Sequence, residues 1–184
     1  MNRLGYRLAG SWLVALIMVA MLVPALAQAA PPGQGGEGAA QGDKLLVEGK
    51  ELHEAGEYQA ALENWLAALE IYREIGDLER QGVALGAIGV AYKDLAQYQQ
   101  ALSYYEEALA IYREVGDRDA EGDALSAAGS VYLRLGQNQQ ALTHYQQALV
   151  IFEELGNQQM VGQLKDVIEQ LSEGPPVQDE NRAA

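Results

Sequence analysis

The chain has 184 residues, no cysteine and a formal net charge of -14, from 26 acidic and 12 basic side chains. Without cysteine there are no disulfides, zinc–thiolate sites or thiol catalysis. So acidic a surface repels phosphate backbones, and nucleic acid is not an expected partner; solubility or attraction to a basic partner explains the charge.

Met1 to Arg7 carries Arg3 and Arg7 and no acid. An apolar run, Trp12 to Val23, ends at Pro24, and the small residues Ala25-Leu26-Ala27-Gln28-Ala29-Ala30 follow. A charged start, an apolar stretch and A-x-A sites describe a secretory signal over residues 1–29, cleaved after Ala27 or Ala29. Pro31 argues against cleavage after Ala30. The rival reading keeps the leader: residues 8–27 are about long enough to span a bilayer and would anchor the protein to the membrane. In either case the remainder is exported, periplasmic or secreted, and a membrane is expected as a partner only if the leader is uncleaved. Residues 30–42, rich in Pro, Gly, Ala and Gln, read as a flexible linker.

From Asp43 the pattern is helical, and it repeats. The stretch YQQALSYYEEALAIYREVGD (Tyr98 to Asp117) is preceded by YQAALENWLAALEIYREIGD (Tyr58 to Asp77) and followed by NQQALTHYQQALVIFEELGN (Asn138 to Asn157). The first pair agrees at twelve of twenty positions and the second at ten, without a gap. A constant period of about 40 residues marks stacked units rather than one globule. In the middle unit Leu85, Ile88, Ala91, Tyr92 and Leu95 share one helix face. Leu102, Tyr105, Ala108, Leu109 and Tyr112 share another after a break at Ala96-Gln97. Each unit is therefore two antiparallel helices, with units at about 43–77, 78–117 and 118–157. Gly56 and Gly136 suit the left-handed turn inside a unit, and Ala96 fills that place less comfortably. Between units, Gly76-Asp77, Gly116-Asp117 and Gly156-Asn157 supply a helix C-cap followed by an N-cap. The first helix is expected from Asp43 to Ala55. A single helix over 158–172, with Met160, Val161, Leu164, Val167, Ile168 and Leu171 on one face, is expected to cap the open end. Gly174-Pro175-Pro176 stops it, and residues 173–184 read as a disordered acidic tail.

These residues resemble the tetratricopeptide repeat family over Asp43 to Ser172. The family's first-helix signature, Leu-Gly and then Tyr, appears as Ile88-Gly89 with Tyr92, as Ala128-Gly129 with Tyr132, and weakly as Glu48-Gly49 with Leu52. Its second-helix signature of small residue, aromatic and Ala appears as Ala101, Tyr105, Ala108, as Ala141, Tyr145, Ala148, and as Ala61, Trp65, Ala68. The repeat is longer than the family's usual length of about 34 residues, and the family's terminal Pro is replaced by Arg73, Arg113 and Glu153. The resemblance implies an all-α fold: a right-handed α-solenoid of three antiparallel helix pairs plus a C-terminal capping helix. It also implies an adaptor, not an enzyme, that binds a protein partner as an extended or helical peptide in a concave groove lined by the first helix of each pair. Carried over by position, the groove residues are Leu46, Val47, Lys50 and His53, then Val83, Gly86, Ala87, Val90, Lys93 and Asp94, then Asp123, Ser126, Ser130, Leu133 and Arg134. No Asn lies on these faces, so the carboxylate clamp of the family's chaperone-binding members is not supported. Lys50, Lys93 and Arg134 among small and aliphatic residues suit a peptide with some acidic character. They are equally explained as solvated charges paired with Glu54, Asp94 or Asp123.

An alternative function is a structural subunit that self-assembles end to end as a homo-oligomer or is built into an envelope complex. No catalytic, cofactor or metal site is expected. Asp117, Asp119, Glu121 and Gly122 begin like a calcium loop, but its twelfth place is Ala128 rather than a bidentate Glu. His53 and His144 have no second ligand at metal-binding spacing. Ser103, Ser126 and Ser130 have no His/Asp arrangement.

Overall fold

The computed structural model describes residues 34–173. The expected signal peptide, the first residues of the linker and the tail beyond Glu173 lie outside the described residues. Among the described residues there are seven helices and no strand: α1 (Gln34–Glu54), α2 (Tyr58–Ile75), α3 (Leu78–Asp94), α4 (Tyr98–Val115), α5 (Arg118–Arg134), α6 (Asn138–Leu155) and α7 (Gln158–Glu173). Helices α1/α2, α3/α4 and α5/α6 pack as pairs. Each pair leans on the next through α2 against α3, α4 against α5 and α6 against α7, and α3 also touches α5. This is an all-α helical-repeat solenoid.

What sets the register is a pair of glycines on the first helix of each unit. A Cβ on Gly89 would lie 2.6 Å from Tyr105 Cε1, and one on Gly82 would lie 2.7 Å from Tyr112 Cε1. The same sockets recur as Gly49 for Trp65 and Gly42 for Tyr72, and as Gly129 for Tyr145 and Gly122 for Phe152. Each aromatic is buried, and a side chain in the socket would push it out of the close-packed interior. The small residues of the second helices complete the fit: Ala61, Ala68, Ala101, Ala108, Ala141 and Ala148 are all 0% exposed.

The sockets also correct the linker expectation. Helix α1 starts at Gln34, nine residues before the expected Asp43, so residues 34–42 are helical and not a flexible spacer. Gly42 is Tyr72's socket, and a Cβ on Gly38 would meet Ile75 Cγ2 at 3.1 Å. Helical glycines are unfavourable by about 1 kcal/mol each. Here close approach to α2 offsets that, as tertiary packing of a helix face commonly does.

The joints follow the expected chemistry. Gly76, Gly116 and Gly156 are left-handed C-caps, and Asp77, Asp117 and Asn157 accept from the backbone N–H of Arg80, Ala120 and Met160. Inside the middle unit Ala96 takes φ +58°, the single positive φ outside glycine among the described residues. Charged seams stitch neighbouring units. Arg80 donates to Asp43 at 2.8 Å and to Asp77 at 2.6 Å, while Tyr72 donates to Asp43 at 2.9 Å. In the next seam Glu121, buried to 5% exposure, accepts from Arg113 at 2.7 Å and from Arg118, which also reaches Glu154.

Helix α7 ends the array by departing from the pattern. Where α3 and α5 have Leu85 and Leu125, α7 has Lys165, and where they have Gly89 and Gly129, it has Glu169. Lys165 pairs with Glu153 at 2.8 Å. Val161 and Leu164 are buried against the last pair, while Gln159, Gln163, Asp166 and Gln170 are exposed. A polar outer face is what a terminal repeat needs for solubility.

Candidate functional site

The helical period places the fifteen groove candidates on α1, α3 and α5, but the fold treats them unequally. Leu46 is half-buried against the core, and its carbonyl accepts from Trp65 Nε1 at 3.1 Å. Val47 is exposed, and exposed Lys50 lies 3.8 Å from Glu54 one turn on. His53 Nε2 meets Asp94 Oδ2 at 2.7 Å, joining α1 to α3, and its ring sits against Tyr58 and Trp65. Ala87 and Leu133 pack against the core. Val83 is exposed beside Glu79, Arg80 and Asp117 in an open depression at the joint between units. Ser126 is half-buried with an Oγ that finds no partner.

Seven of the candidates gather in two clefts between α3 and α5. Lys93, Asp94, Ser130 and Arg134 line one of about 450 Å³, together with Ala96 and Tyr98 from the turn and start of α4. Lys93 is 3.6 Å from Asp94, which is also held by His53. Arg134 makes no ion pair among the described residues. Ser130 Oγ donates to the Ala127 carbonyl at 2.6 Å. This cleft therefore holds two cations, Lys93 beside Asp94 and Arg134 without an ion pair among the described residues, and a tyrosine.

The second cleft, of about 180 Å³, is lined by Gly86, Val90 and Asp123, with Tyr105 and Tyr112 from α4 and Ala120, Ala124 and Ala127 from α5. It exists because the middle unit has glycine at position 86, where the flanking units have Leu46 and Ser126. Tyr112 Oη donates to the Gly82 carbonyl at 2.8 Å. Tyr105 is 1% exposed and its hydroxyl has no partner. Burial pushes the Tyr112 phenol up to about 12, helped by the charges of Asp117 and Asp123. Burial, then the charge of Asp94, raises Tyr105 as well. Asp123, exposed at the rim, is raised from its ordinary value by partial loss of solvation against the cleft wall and then by the charges of Asp119 and Asp117.

Tyr98, Tyr105, Tyr112 and Ala127 were not among the sequence candidates. The two inner tyrosines read as packing, and they are packing. The signal for the clefts in the sequence is that groove positions differ from unit to unit: Lys50, Val90, Ser130 in one register and Glu54, Asp94, Arg134 in another. Among the described residues no group of three or more His, Asp or Glu side chains is placed to hold a metal ion. Asp117, first residue of the apparent calcium loop, caps α5 through the Ala120 N–H.

Solved structures share this fold. Aspartyl phosphate phosphatase F from Bacillus subtilis superposes with a TM-score of 0.69 at 19% identity, covering 72% of this chain and 35% of that one. The present chain thus spans about a third of that protein's length. The TPR domain of Arabidopsis FLU gives 0.61 at 21% identity over 64% of this chain and 98% of that one. The TPR2AB domain of yeast Sti1, in a complex with pHSP90, gives 0.61 at 21% identity over 73% of this chain and 48% of that one. A comparison with curated proteins found no match. The tetratricopeptide repeat profile matches residues 52–114 and 88–154. Together those ranges take in the end of α1, all of α2 to α5 and nearly all of α6, with the socket glycines Gly82, Gly89, Gly122 and Gly129, and on that ground the chain belongs to the tetratricopeptide repeat family.

Proposed function

We propose that this protein is an exported, non-catalytic adaptor that holds an extended or helical segment of a protein partner in the groove of α1, α3 and α5. The observation that carries the reading is the convergence of Lys93, Ser130 and Arg134 from two different units on one cleft of about 450 Å³. With Asp94 drawn to His53 at 2.7 Å, the cleft presents positive charge on a chain whose net charge is -14. A carboxylate of the partner is the group it suits. The yeast Sti1 domain, solved with pHSP90, supports a partner-binding role for such an array. The leader, with its A-x-A sites at Ala27 and Ala29, supports export.

Lys50 belongs to this reading only peripherally, because it stands outside the cleft beside Glu54. The test is therefore capture from the native cell envelope by the wild-type chain and by Lys93→Glu with Arg134→Glu. Two charge-assisted hydrogen bonds contribute together about 3 kcal/mol or more, so captured partner should fall more than about 100-fold. Helical content should stay unchanged. Undiminished capture by the double variant refutes the groove reading. N-terminal sequencing of the exported protein tests the leader: a start at Gln28 or Ala30 supports cleavage, and Met1 supports the anchor.

The self-assembling subunit is less well supported. The exposed face of α7, with Gln159, Gln163, Asp166 and Gln170, offers a second copy little apolar surface. Light scattering after size exclusion should give a monomer across concentrations.

A further inference from the structure

The smaller cleft between α3 and α5 has a chemical sign of its own. Each side-chain polar group on its wall can accept a hydrogen bond, and none is left with a proton to give except Tyr105. The Tyr112 proton is committed to the Gly82 carbonyl at 2.8 Å, which leaves the oxygen's lone pairs. Asp123 has no ion pair among the described residues and stands near the further negative charges of Asp117 and Asp119. Tyr105, 1% exposed, lines the same cleft with an unpartnered hydroxyl. The remaining wall is Gly86, Val90 and alanine. Asp123 is exposed at the rim and unpaired, and with the Tyr112 lone pairs it leaves the cleft lined by acceptors to which no side chain among the described residues donates.

We propose that this cleft receives an arginine side chain of the bound partner, with the guanidinium on Asp123 and near the Tyr112 oxygen at the Gly86 opening. The proposal rests on the adaptor reading above. The volume of about 180 Å³ is below the roughly 300–1,000 Å³ of pockets that enclose a drug-sized ligand, so it suits one side chain of a larger partner. Arginine is a pure donor with five N–H groups in a planar fork. It is also less strongly hydrated than lysine and lies well against aromatic and aliphatic walls. Glycine at position 86 is the opening that admits it: a Cβ there would already stand 3.1 Å from Tyr112 Oη.

The test is a nuclear magnetic resonance titration of the intact, isotope-labelled chain with two uncharged-end probes, acetyl-Ala-Arg-Ala-amide and the same peptide with citrulline for arginine. Citrulline keeps the shape and removes the charge. The expected result is saturable shifts at Val90, Asp123 and Ala127 with the arginine probe and binding at least about tenfold weaker with citrulline. Asp123→Asn should weaken the arginine probe about tenfold or more, with the fold retained. No saturable shift, equal binding of citrulline, or indifference to Asp123→Asn overturns the proposal. A third probe, acetyl-Ala-Glu-Ala-amide, separates it from the adaptor reading. Binding of the acidic probe that Lys93→Glu with Arg134→Glu abolishes, without arginine binding, overturns the arginine cleft alone. Failure of both probes, with partner capture indifferent to the double variant, overturns the groove itself.

Discussion

Removing the Tyr105 hydroxyl should stabilise the protein, which is unusual for a buried tyrosine. The ring fills the Gly89 socket and is 1% exposed, while its oxygen meets no donor or acceptor. Tyr105→Phe keeps the ring in the socket and deletes only the stranded group. A buried polar group without a partner is unfavourable by about 1–3 kcal/mol, so a gain of about 1 kcal/mol or more follows. Tyr112→Phe is the control. Tyr112 is also buried, but it donates to the Gly82 carbonyl at 2.8 Å, and losing such a bond destabilises by about 1 kcal/mol. The two substitutions are chemically identical and should differ in sign, by about 2 kcal/mol in total. In a chain of this size that separates the melting points by roughly 4–8 °C. Repeat arrays can unfold in parts, so urea titrations should be followed both by helical circular dichroism and by tyrosine absorbance. Equal losses in the two variants would mean that Tyr105 has a partner in solution.

Four further outcomes follow from the geometry. Gly162→Ala should stabilise by about 1 kcal/mol, because nothing lies within 4 Å of the new Cβ and alanine is the better helix former. At the equivalent Gly122, where Phe152 Cζ stands 2.8 Å from that Cβ, overpacking of about 1–3 kcal/mol should outweigh the same propensity gain; thermal unfolding of the pair checks both. Ala96→Gly should raise stability by about 0.5–1 kcal/mol, since the left-handed turn at φ +58° strains alanine by about 1–2 kcal/mol and glycine recovers all but its own entropy loss. Acid should loosen the seams between units: hydrogen bonds from Arg80 hold Asp43 below its ordinary range, and at Glu121 burial pushes upward but the bonds from Arg113 and Arg118 outweigh it. Both carboxyls are depressed in the fold, so their stabilisation is present above the unfolded value near pH 4 and fades below it; Glu121→Gln should lower stability at neutral pH, and its difference from wild type should vanish in acid-unfolding curves.

The repeat was legible because the packing positions carry the same residue types in every unit: sockets at Gly49, Gly89 and Gly129, alanines at Ala61, Ala101 and Ala141. The start of α1 was not. Gly38 and Gly42 look like linker glycines until Ile75 and Tyr72, far along the chain, are brought against them. A sequence window does not contain that contact. The groove was half legible. Helical period put the candidates on α1, α3 and α5, but which of them converge depends on how α3 lies across α5. Lys50 was grouped with Lys93 and Arg134 by its position in the repeat and its charge, and the fold leaves it outside their cleft. Asp94 is bound up with His53 from the preceding unit, a partnership that neither helix reveals alone.

The division between what repeats and what varies has a consequence for the ligand. Positions that repeat hold the helices together, and on the adaptor proposal the positions that change would set what the groove accepts: Leu46, Gly86, Ser126; His53, Lys93, Leu133; Glu54, Asp94, Arg134. Along α3 those changes put an acceptor-lined cleft at Gly86 and a cationic one at Lys93, two helical turns or about 10 Å apart at about 1.5 Å per residue. An extended peptide covers about 10 Å in three residues. A ligand that satisfies both clefts at once therefore carries an arginine and an acidic residue about three positions apart. Joining the two contacts in one chain makes the second intramolecular. A capped peptide with Arg and Glu at that spacing should bind about tenfold or more tightly than the isomer with the two side by side, as read by calorimetry. Equal affinities would mean that the clefts do not act on one strand, and that the polarity of the groove is a property of its surface rather than of its ligand.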